Sequence, residues 1–535
     1  MTTQTILQPA VASHLHGLDQ LSFQHGRITL PPNPFNQKTM KLHGTVAPPP
    51  TPQPTANPKQ LVRDPGLLVV SNRMPVSVKR TAEGSYRLDK PSGGLVTGLS
   101  GIDKGASFSW YGWPGLPVPE EELQDLRSVL KEQHHAVAIP LDDDLADLHY
   151  NGFCNSTLWP LFHYEGCFSY NRGDWEAYQR VNQIFADRLA ADCVDGDVVW
   201  VHDYHLMLVP EMLRKHGLLF NKKITIGFFL HTPFPAGDHF KILPTCKELL
   251  AGVLGSDMIG FHTASYAKNF KATCTSILGH KISHSKVFLG KRSVHVKVSP
   301  IGIDPDSFTR ELAKPELRRL SDSLRDTYKD KRVLLGIDRL DYIKGLPRKI
   351  EALTQLLSQQ PEWIGRLVLI QVVVPSRQDI GENQELFSTL NRLADEANRQ
   401  YGKSVSATYH DLLTHIIFSG SDGYQPVTLL HSNVPFNELV TLYNAADICL
   451  VASTRDGMNL VASEYVASQQ EHERKGVLVL SKFAGAAEQL AGSVQFNPWC
   501  LDDMVDALTK ALTMSESERA SRHEQNRKFV VQNTR

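Results

Sequence analysis

The chain has 535 residues, a formal net charge of −1 and 41% hydrophobic residues, a profile typical of a globular protein with two or three domains. The balanced charge argues against a nucleic-acid-binding or membrane-surface protein, and no apolar run approaches the ~20 residues that span a bilayer. The seven cysteines are scattered without a Cys-x-x-Cys pair. Together with the lack of a signal-peptide pattern, they predict a cytoplasmic protein with reduced thiols and no zinc site.

Residues 1–66 are predicted to form a disordered, proline-rich tail. The run at residues 48–54 reads PPPTPQP, which favours an extended polyproline conformation and has no apolar periodicity. A docking segment for a partner is the alternative.

Residues 67–315 are predicted to form a first doubly wound α/β domain. Short apolar strands are expected at residues 66–73, 198–201, 224–230, 258–261 and 296–298, with helical stretches between them that include residues 175–189 and 206–216. Polar residues follow several of these strands, and ligands of doubly wound sheets bind at that edge. The first strands should therefore end at a functional site.

Residues 316–535 are predicted to form a second domain of the same class. Its strands are expected at residues 333–339, 367–374, 448–451 and 477–481, with a linker between the domains near residues 300–330. The fold class that follows is α/β, with two Rossmann-like domains facing each other across a cleft.

The segment after the strand at residues 448–451 carries two acids, Asp456 and Glu464, eight positions apart. On a continuous helix this spacing is about 12 Å, too long for a glycosidase carboxyl pair but suited to two parts of an elongated ligand. A helix start near Asn459 and Leu460 would have backbone N–H groups without a partner within the helix, and these would suit an anion between the two acids. The hypothesis is a sugar-nucleotide site. A capping Asp and a solvated Glu are the alternative.

Four cations follow apolar strands. Arg339 and Lys344 would suit a diphosphate, because a guanidinium fork and an ammonium group both bind phosphate oxygens. Arg73 and Arg377, one in each domain, could bind a second anion across the cleft. Ordinary ion pairs or solvated loops are the alternative for each of them.

Further candidates have weaker signals. The loop Gly93-Gly94 follows the first strand and could bring backbone N–H groups to a phosphate or sugar, although glycines also form plain turns. Asp203 and His231 are candidates for the reacting centre, against a buried structural histidine. Tyr150 and Trp159 could contact a sugar ring or be core aromatics.

Most of these residues lie in motifs that resemble the trehalose-6-phosphate synthase family, and the resemblance extends over residues 67–530. The motifs are Ser71-Asn72-Arg73, Ser92-Gly93-Gly94-Leu95, Leu158-Trp159-Pro160, Val201-His202-Asp203-Tyr204-His205, His231-Thr232-Pro233-Phe234-Pro235, Arg339-Leu340-Asp341-Tyr342-Ile343-Lys344-Gly345 and Arg455-Asp456-Gly457-Met458-Asn459-Leu460-Val461. The resemblance implies a retaining glucosyltransferase of the GT-B fold that uses UDP-glucose as donor and glucose 6-phosphate as acceptor, without a cofactor or metal.

The resemblance also implies residue roles. The residues expected at the donor are Gly93, Gly94, Arg339, Lys344, Val434, Asp456, Leu460, Val461 and Glu464. Those expected at the acceptor are Arg73, Tyr150, Trp159, Asp203 and Arg377. The catalytic group would comprise Asp203, His231, Arg339, Lys344 and Asp456, with no protein nucleophile.

Two departures from the family pattern keep alternatives open. The tail is longer than in minimal bacterial relatives, and the sequence ends at Arg535, where the family usually continues into a helix that packs on the first domain. A non-catalytic regulatory subunit, or a related transferase with a different acceptor, are the alternatives. A homo-oligomer or a complex with a trehalose-phosphate phosphatase would fit the family. No phosphatase domain is present, so free trehalose is not the expected product.

Overall fold

The computed structural model describes residues 63–81, 85–89, 108–166, 168–375, 381–403, 423–469 and 475–534. Most of the predicted tail lies outside these residues, so its disorder stays a prediction. The described part begins at Arg63, whose guanidinium pairs with the buried carboxylate of Asp197 at 2.5 Å. The same carboxylate accepts the backbone N–H of Gly66 at 2.9 Å, which holds the chain at the start of the first strand.

A nine-stranded sheet forms what we call the first lobe, the described residues up to Val298. The strand order is β5-β4-β1-β6-β7-β8-β11-β10-β9, parallel from β5 to β11 and antiparallel through β10 and β9. Its strands are β1 Leu67–Arg73, β4 Phe108–Trp113, β5 Ala136–Ala138, β6 Val198–His202, β7 Thr225–Leu230, β8 Met258–Phe261, β9 Lys281–Ile282, β10 Lys286–Leu289 and β11 Arg292–Val298. A separate hairpin pairs β2 Ser77–Arg80 with β3 Tyr86–Asp89.

A six-stranded, entirely parallel sheet forms the second lobe, the described residues from Pro305 onward. The strand order is β14-β13-β12-β15-β16-β17. Its strands are β12 Arg332–Arg339, β13 Leu367–Val374, β14 Val427–His431, β15 Ile448–Val451, β16 Val477–Ser481 and β17 Val494–Phe496. The strands are nearly continuous apolar runs because helices cover both faces of a parallel sheet.

Helices cover the two sheets. Those of the first lobe are α1 Glu120–His134, α2 Asp143–Asp147, α3 Trp159–His163, α4 Arg172–Asp192, α5 Val209–Arg214, α6 Gly237–Phe240, α7 Cys246–Val253 and α8 Ala264–Leu278. Those of the second lobe are α9 Pro305–Leu312, α10 Pro315–Thr327, α11 Leu346–Gln359, α12 Gly381–Tyr401, α13 Phe436–Ala445, α14 Leu460–Ser468, α15 Leu501–Thr513 and α16 Glu516–Gln532. Throughout the described ranges, no helix is long and apolar enough to cross a membrane.

Both sheets change winding direction at one position. If the parallel strands of each sheet are numbered in chain order, four neighbouring strands of each sheet have the order 3-2-1-4. This strand order reverses between β1 and β6 in the first lobe and between β12 and β15 in the second. Ligands of doubly wound sheets bind at this switch point, beyond the carboxyl ends of the strands. Arg73 and Asp203 lie at the first switch point, and Arg339 and Asp456 lie at the second.

The sequence predicted β1, β6, β7, β8, the end of β11, β12, β13, β15 and β16, but it missed β4, β5, β14 and β17 and misjudged some connections. The helical stretch expected from Leu206 to His216 is broken into a 3-10 turn at Tyr204–Leu206 and the short helix α5. The linker expected near residues 300–330 contains α9 and α10, and Phe308 of α9 packs in the second-lobe core. The domain boundary at residues 315–316 remains a proposal.

Candidate active site

A cavity of about 510 Å³ opens between the two switch points and is lined from both lobes. It brings together nine of the residues proposed from the sequence. These are Tyr150, Trp159, Asp203, His231, Arg339, Lys344, Asp456, Leu460 and Val461.

Three further candidates lie elsewhere in the described part of the chain. Arg73 is exposed, with its guanidinium 4.2 Å from the ring centroid of Trp113 and 5.9 Å from that of Tyr150. Val434 packs on the second-lobe core, and the carboxylate of Glu464 accepts a hydrogen bond from the Tyr443 hydroxyl at 2.9 Å. The remaining three, Gly93, Gly94 and Arg377, lie outside the described residues.

Asp456 is a buried carboxylate that stays ionised. Burial alone would raise its pKa, but the Lys344 ammonium at 2.5 Å, with the Asn459 amide at 3.1 Å, holds that pKa at about 2. The Ser453 hydroxyl also donates to it, at 3.2 Å. Since Asp456 carries no proton at neutral pH, it suits accepting hydroxyl donors and not giving a proton.

The helix α14 begins at Leu460, between the two acids. Asn459 precedes it with φ 70°, a left-handed conformation that positions its amide beside Asp456. Asp456 and Glu464 are therefore not on one continuous helix, as the spacing argument assumed, but the helix start lies between them as predicted. Leu460 and Val461 line the cavity, so the first N–H groups of α14 are placed near it.

Asp203 follows β6 with φ 72° and ψ 171°, a backbone conformation that residues other than glycine rarely adopt. Its carboxylate accepts the backbone N–H of His231 at 3.2 Å. Burial raises its pKa to about 6, although the backbone N–H groups of Tyr204 and His231 and the charge of Arg339 oppose that rise. Strain and a raised pKa on one cavity residue are typical of a functional position.

His231 is partly buried and lies beside two buried histidines, His202 and His262. Its Nε2 lies 3.1 Å from Nδ1 of His202, and its ring centroid lies 5.2 Å from that of His262. Burial lowers the pKa of His202 and His262 to about 3 and that of His231 well below its usual value. The three rings are therefore neutral at physiological pH and can donate or accept hydrogen bonds without bringing charge to the cavity.

A π-helix at Leu148–Leu158 places the two aromatic candidates. Tyr150 and Trp159 are nine positions apart, about 2.5 turns of an α-helix, which would put them on opposite faces. A π turn holds more residues than an α turn, and here both side chains line the same cavity. The i→i+5 pattern continues to the N–H of Trp159, which donates to the carbonyl of Cys154.

Several cavity residues were missed from the sequence. His262 directly follows β8, as Asp203 follows β6, so the rule of polar residues at strand ends could have found it. His163 and Asp338 gave no such signal, since one lies on a short helix and the other within a strand. Asp338 is held by the fully buried Lys349 at 2.5 Å. Within the described residues, the buried hydroxyl of Thr232, another residue of the cavity wall, has no hydrogen-bond partner.

The two lobes touch at the backbone of Gly457. A Cβ atom there would lie 1.9 Å from the carbonyl oxygen of His231, so only glycine allows this approach. Around this contact, Arg455 stacks over the Tyr164 ring at 4.1 Å, and Ile343 packs in the first-lobe core. The cavity wall is thus continuous across the two lobes.

Residues 65–535 match the family described as Glycosyltransferase family 20. The chain belongs to this family. It is 47% identical over 481 residues to an Aspergillus niger protein named UDP-forming alpha,alpha-trehalose-phosphate synthase 2, an alignment covering 90% of this chain and 96% of that one.

Solved structures of similar proteins have the same architecture. An E. coli protein solved with UDP-2-fluoro glucose is 33% identical, with a TM-score of 0.73 and coverage of 87% of this chain and 95% of that one. A Burkholderia xenovorans UDP-forming alpha,alpha-trehalose-phosphate synthase in complex with glucose-6-phosphate is 30% identical, with a TM-score of 0.74 and coverage of 88% and 97%. The GT-B fold predicted from the sequence is confirmed.

Replacing Gly457 with alanine should push the lobes apart, because the new methyl group would overlap the His231 carbonyl. The transfer rate should fall about 100-fold, as expected for a displacement near 1 Å, and the melting temperature measured by calorimetry should fall, because the packing between the lobes is disturbed. Gly217→Ala is the matched control, since a Cβ there has no neighbour within 4 Å. A transfer rate and a melting temperature that are both unchanged in Gly457→Ala would contradict the contact.

Proposed function

We propose that this protein transfers glucose from UDP-glucose to glucose 6-phosphate with retention of configuration, giving trehalose 6-phosphate and UDP. The observation that carries the proposal is the cavity between the two switch points. There, Arg339, Lys344 and the first residues of α14 line the same cavity, and the ionised Asp456 is bonded to Lys344. The family membership and the ligands named for the two similar structures support the same two substrates.

On the donor side, the proposal assigns the diphosphate to Arg339, Lys344 and the Gly93-Gly94 loop. Lys344 has three N–H donors, so its bond to Asp456 leaves two for phosphate oxygens. Asp456 would accept hydroxyl groups of the donor glucose, near His231. The uridine would lie along Val434, Leu460 and Val461, with Glu464 on the ribose hydroxyls.

Glu464 fits that ribose role because of its environment. Burial raises its pKa, and the Tyr443 hydroxyl, which donates to one carboxylate oxygen, opposes that rise and orients the group. The other oxygen can accept from a ribose hydroxyl.

On the acceptor side, the proposal assigns the phosphate to Arg73 and Arg377. The sugar ring would lie near Tyr150 and Trp159, with Asp203 accepting from its hydroxyls. The π-helix supports this arrangement because it turns both aromatic side chains toward the cavity.

The chemistry requires no protein nucleophile under this proposal. The acceptor hydroxyl attacks from the face that UDP leaves, and the departing phosphate helps to take its proton. The protein positions the two substrates and stabilises the charge that develops on the diphosphate. Arg339 is suited to that task because its guanidinium can bind two phosphate oxygens at once.

Assembly and location are extensions of the proposal. A homo-oligomer, or a complex with a trehalose-phosphate phosphatase, is proposed from the family resemblance alone. A cytoplasmic location is supported by the six described cysteines, which are all free thiols.

The direct test measures UDP release from UDP-glucose with and without glucose 6-phosphate. The full-length protein should release UDP rapidly only when the acceptor is present, with trehalose 6-phosphate as the second product. A well-folded protein without acceptor-dependent release would overturn the proposal and favour a regulatory subunit. Release that depends on another phosphorylated acceptor would identify a related transferase.

Two arginine variants separate the substrate sites. Arg339→Ala should lower kcat strongly and weaken UDP-glucose binding, because a charge-assisted bond to the diphosphate is worth about 1.5–3 kcal/mol, or roughly 10- to 150-fold. Arg377→Ala should raise the KM of glucose 6-phosphate by a similar factor and leave UDP affinity unchanged. Steady-state kinetics and UDP calorimetry measure both. Equal effects of each variant on both substrates would contradict the assignment.

The transfer rate should fall on the acid side of pH 6. Because the pKa of Asp203 is raised to about 6, the carboxyl becomes protonated below that pH and loses a hydrogen-bond acceptor for sugar hydroxyls. Asp456, with a pKa of about 2, stays ionised throughout this range. The pH profile of kcat/KM for glucose 6-phosphate measures the effect.

The control for that profile is Asp203→Asn. The acceptor phosphate itself has a second pKa of about 6, so both proteins should lose activity in acid. The wild-type profile should be steeper, because two groups take up protons instead of one. Superimposable profiles would show that Asp203 does not titrate there.

A further inference from the structure

Asp456 is held on almost every side by its own lobe. Its carboxylate accepts from Lys344, Ser453 and Asn459. Its backbone N–H donates to the carbonyl of Phe483 at 3.1 Å, and its carbonyl accepts the N–H of Gly485 at 3.0 Å. The two backbone bonds connect Asp456 to the segment that follows β16.

One further bond reaches Asp456 from the first lobe. The hydroxyl of Tyr266 donates to the Asp456 carbonyl oxygen at 3.0 Å. Tyr266 is only 7% exposed, so bulk water cannot replace this bond when the lobes are together. The family motifs used above do not include Tyr266.

The backbone around Tyr266 is well ordered by local bonds. It lies in the first turn of α8, where the Thr263 hydroxyl caps the helix by accepting the N–H of Tyr266 at 3.2 Å. An N-cap of this kind fixes the direction of the first turn. The Tyr266 hydroxyl is therefore presented from a rigid element.

Neighbouring residues contact the same second-lobe segment. The Ser265 hydroxyl donates to the Glu488 carboxylate at 2.6 Å, and the Gln489 amide donates to the carbonyl of His262 at 3.4 Å. The start of α8 thus contacts the loop that also holds the backbone of Asp456. Among these contacts, the Tyr266 bond is the one made directly to Asp456.

We propose that Tyr266 is a positioning residue for the donor sugar, which fixes the Asp456 backbone when the lobes are closed. Donor glucose would then be held in its reactive position only while the acceptor lobe is in place. The inference rests on the proposed glucosyl transfer. UDP alone should not depend on Tyr266, because the groups assigned to uridine and ribose are Val434 and residues of α14, not Asp456.

The test variant is Tyr266→Phe, which removes one hydroxyl and keeps the ring. We expect kcat to fall ~5-fold or more, the equivalent of one lost hydrogen bond. UDP-glucose should bind more weakly, and the Kd of UDP should change less than twofold. Steady-state kinetics and calorimetry with UDP-glucose and UDP measure these quantities separately.

The matched control is Tyr424→Phe. The Tyr424 hydroxyl is also buried and donates to a backbone carbonyl, that of Leu367 at 2.7 Å, but Leu367 does not line the cavity, whereas Asp456 does. Both variants lose a buried hydroxyl, so their melting temperatures should fall by similar amounts, whereas only Tyr266→Phe should lose turnover.

Three results would overturn the inference. They are equal kinetics for the two variants, an equal loss of UDP and UDP-glucose affinity in Tyr266→Phe, and a wild-type protein that binds no UDP-glucose. Failure of the proposed function is seen separately, as wild-type UDP release that does not depend on glucose 6-phosphate. The binding comparison needs no acceptor, so the two failures can be told apart.

Discussion

The site depends on a charged group that is buried where the two lobes meet. A carboxylate at such a position would normally take up a proton, because burial disfavours its charge. Asp456 avoids this through Lys344, which comes from the same lobe. The charge of Asp456 is therefore balanced within the second lobe. The first lobe can pack against Asp456 without burying an uncompensated ion. Gly457, next in the chain, removes the side chain that would prevent the backbones from touching.

The two lobes share the same sheet topology around the cavity. Each sheet reverses its winding between two neighbouring strands, which leaves a crevice at their carboxyl ends. One crevice presents Asp203 and the other presents Asp456, and the strands around each are almost fully buried. Rigid strands thus fix the main chain at both crevices, and the chemistry is carried by the loops that follow. This division explains why cavity residues such as Asp203, His231 and His262 directly follow a strand, and why Leu460 begins a helix.

The arrangement of buried strands followed by functional loops also determined which features could be predicted from the sequence. Apolar runs followed by polar residues revealed β1, β6, β7, β12 and β15 and, with them, Asp203, His231 and Asp456. The left-handed backbones of Asp203 and Asn459 left no such pattern, because neither residue is glycine. His163 and Asp338 were hidden by their surroundings, a short helix and a buried strand. Interlobe contacts such as Tyr266 with Asp456 were also invisible, since they join residues 190 positions apart.

In the π-helix at Leu148–Leu158, the number of residues determines which side chains share a face, more than the identity of those residues does. Nine positions separate Tyr150 from Trp159, and the wider turns convert that count into a shared face. Shortening the segment by one residue would rotate one ring away from the other without removing either. Within this segment, a relative with every aromatic residue retained but one position deleted would keep its sequence identity and lose the geometry. Gaps in an alignment here therefore carry more functional information than substitutions.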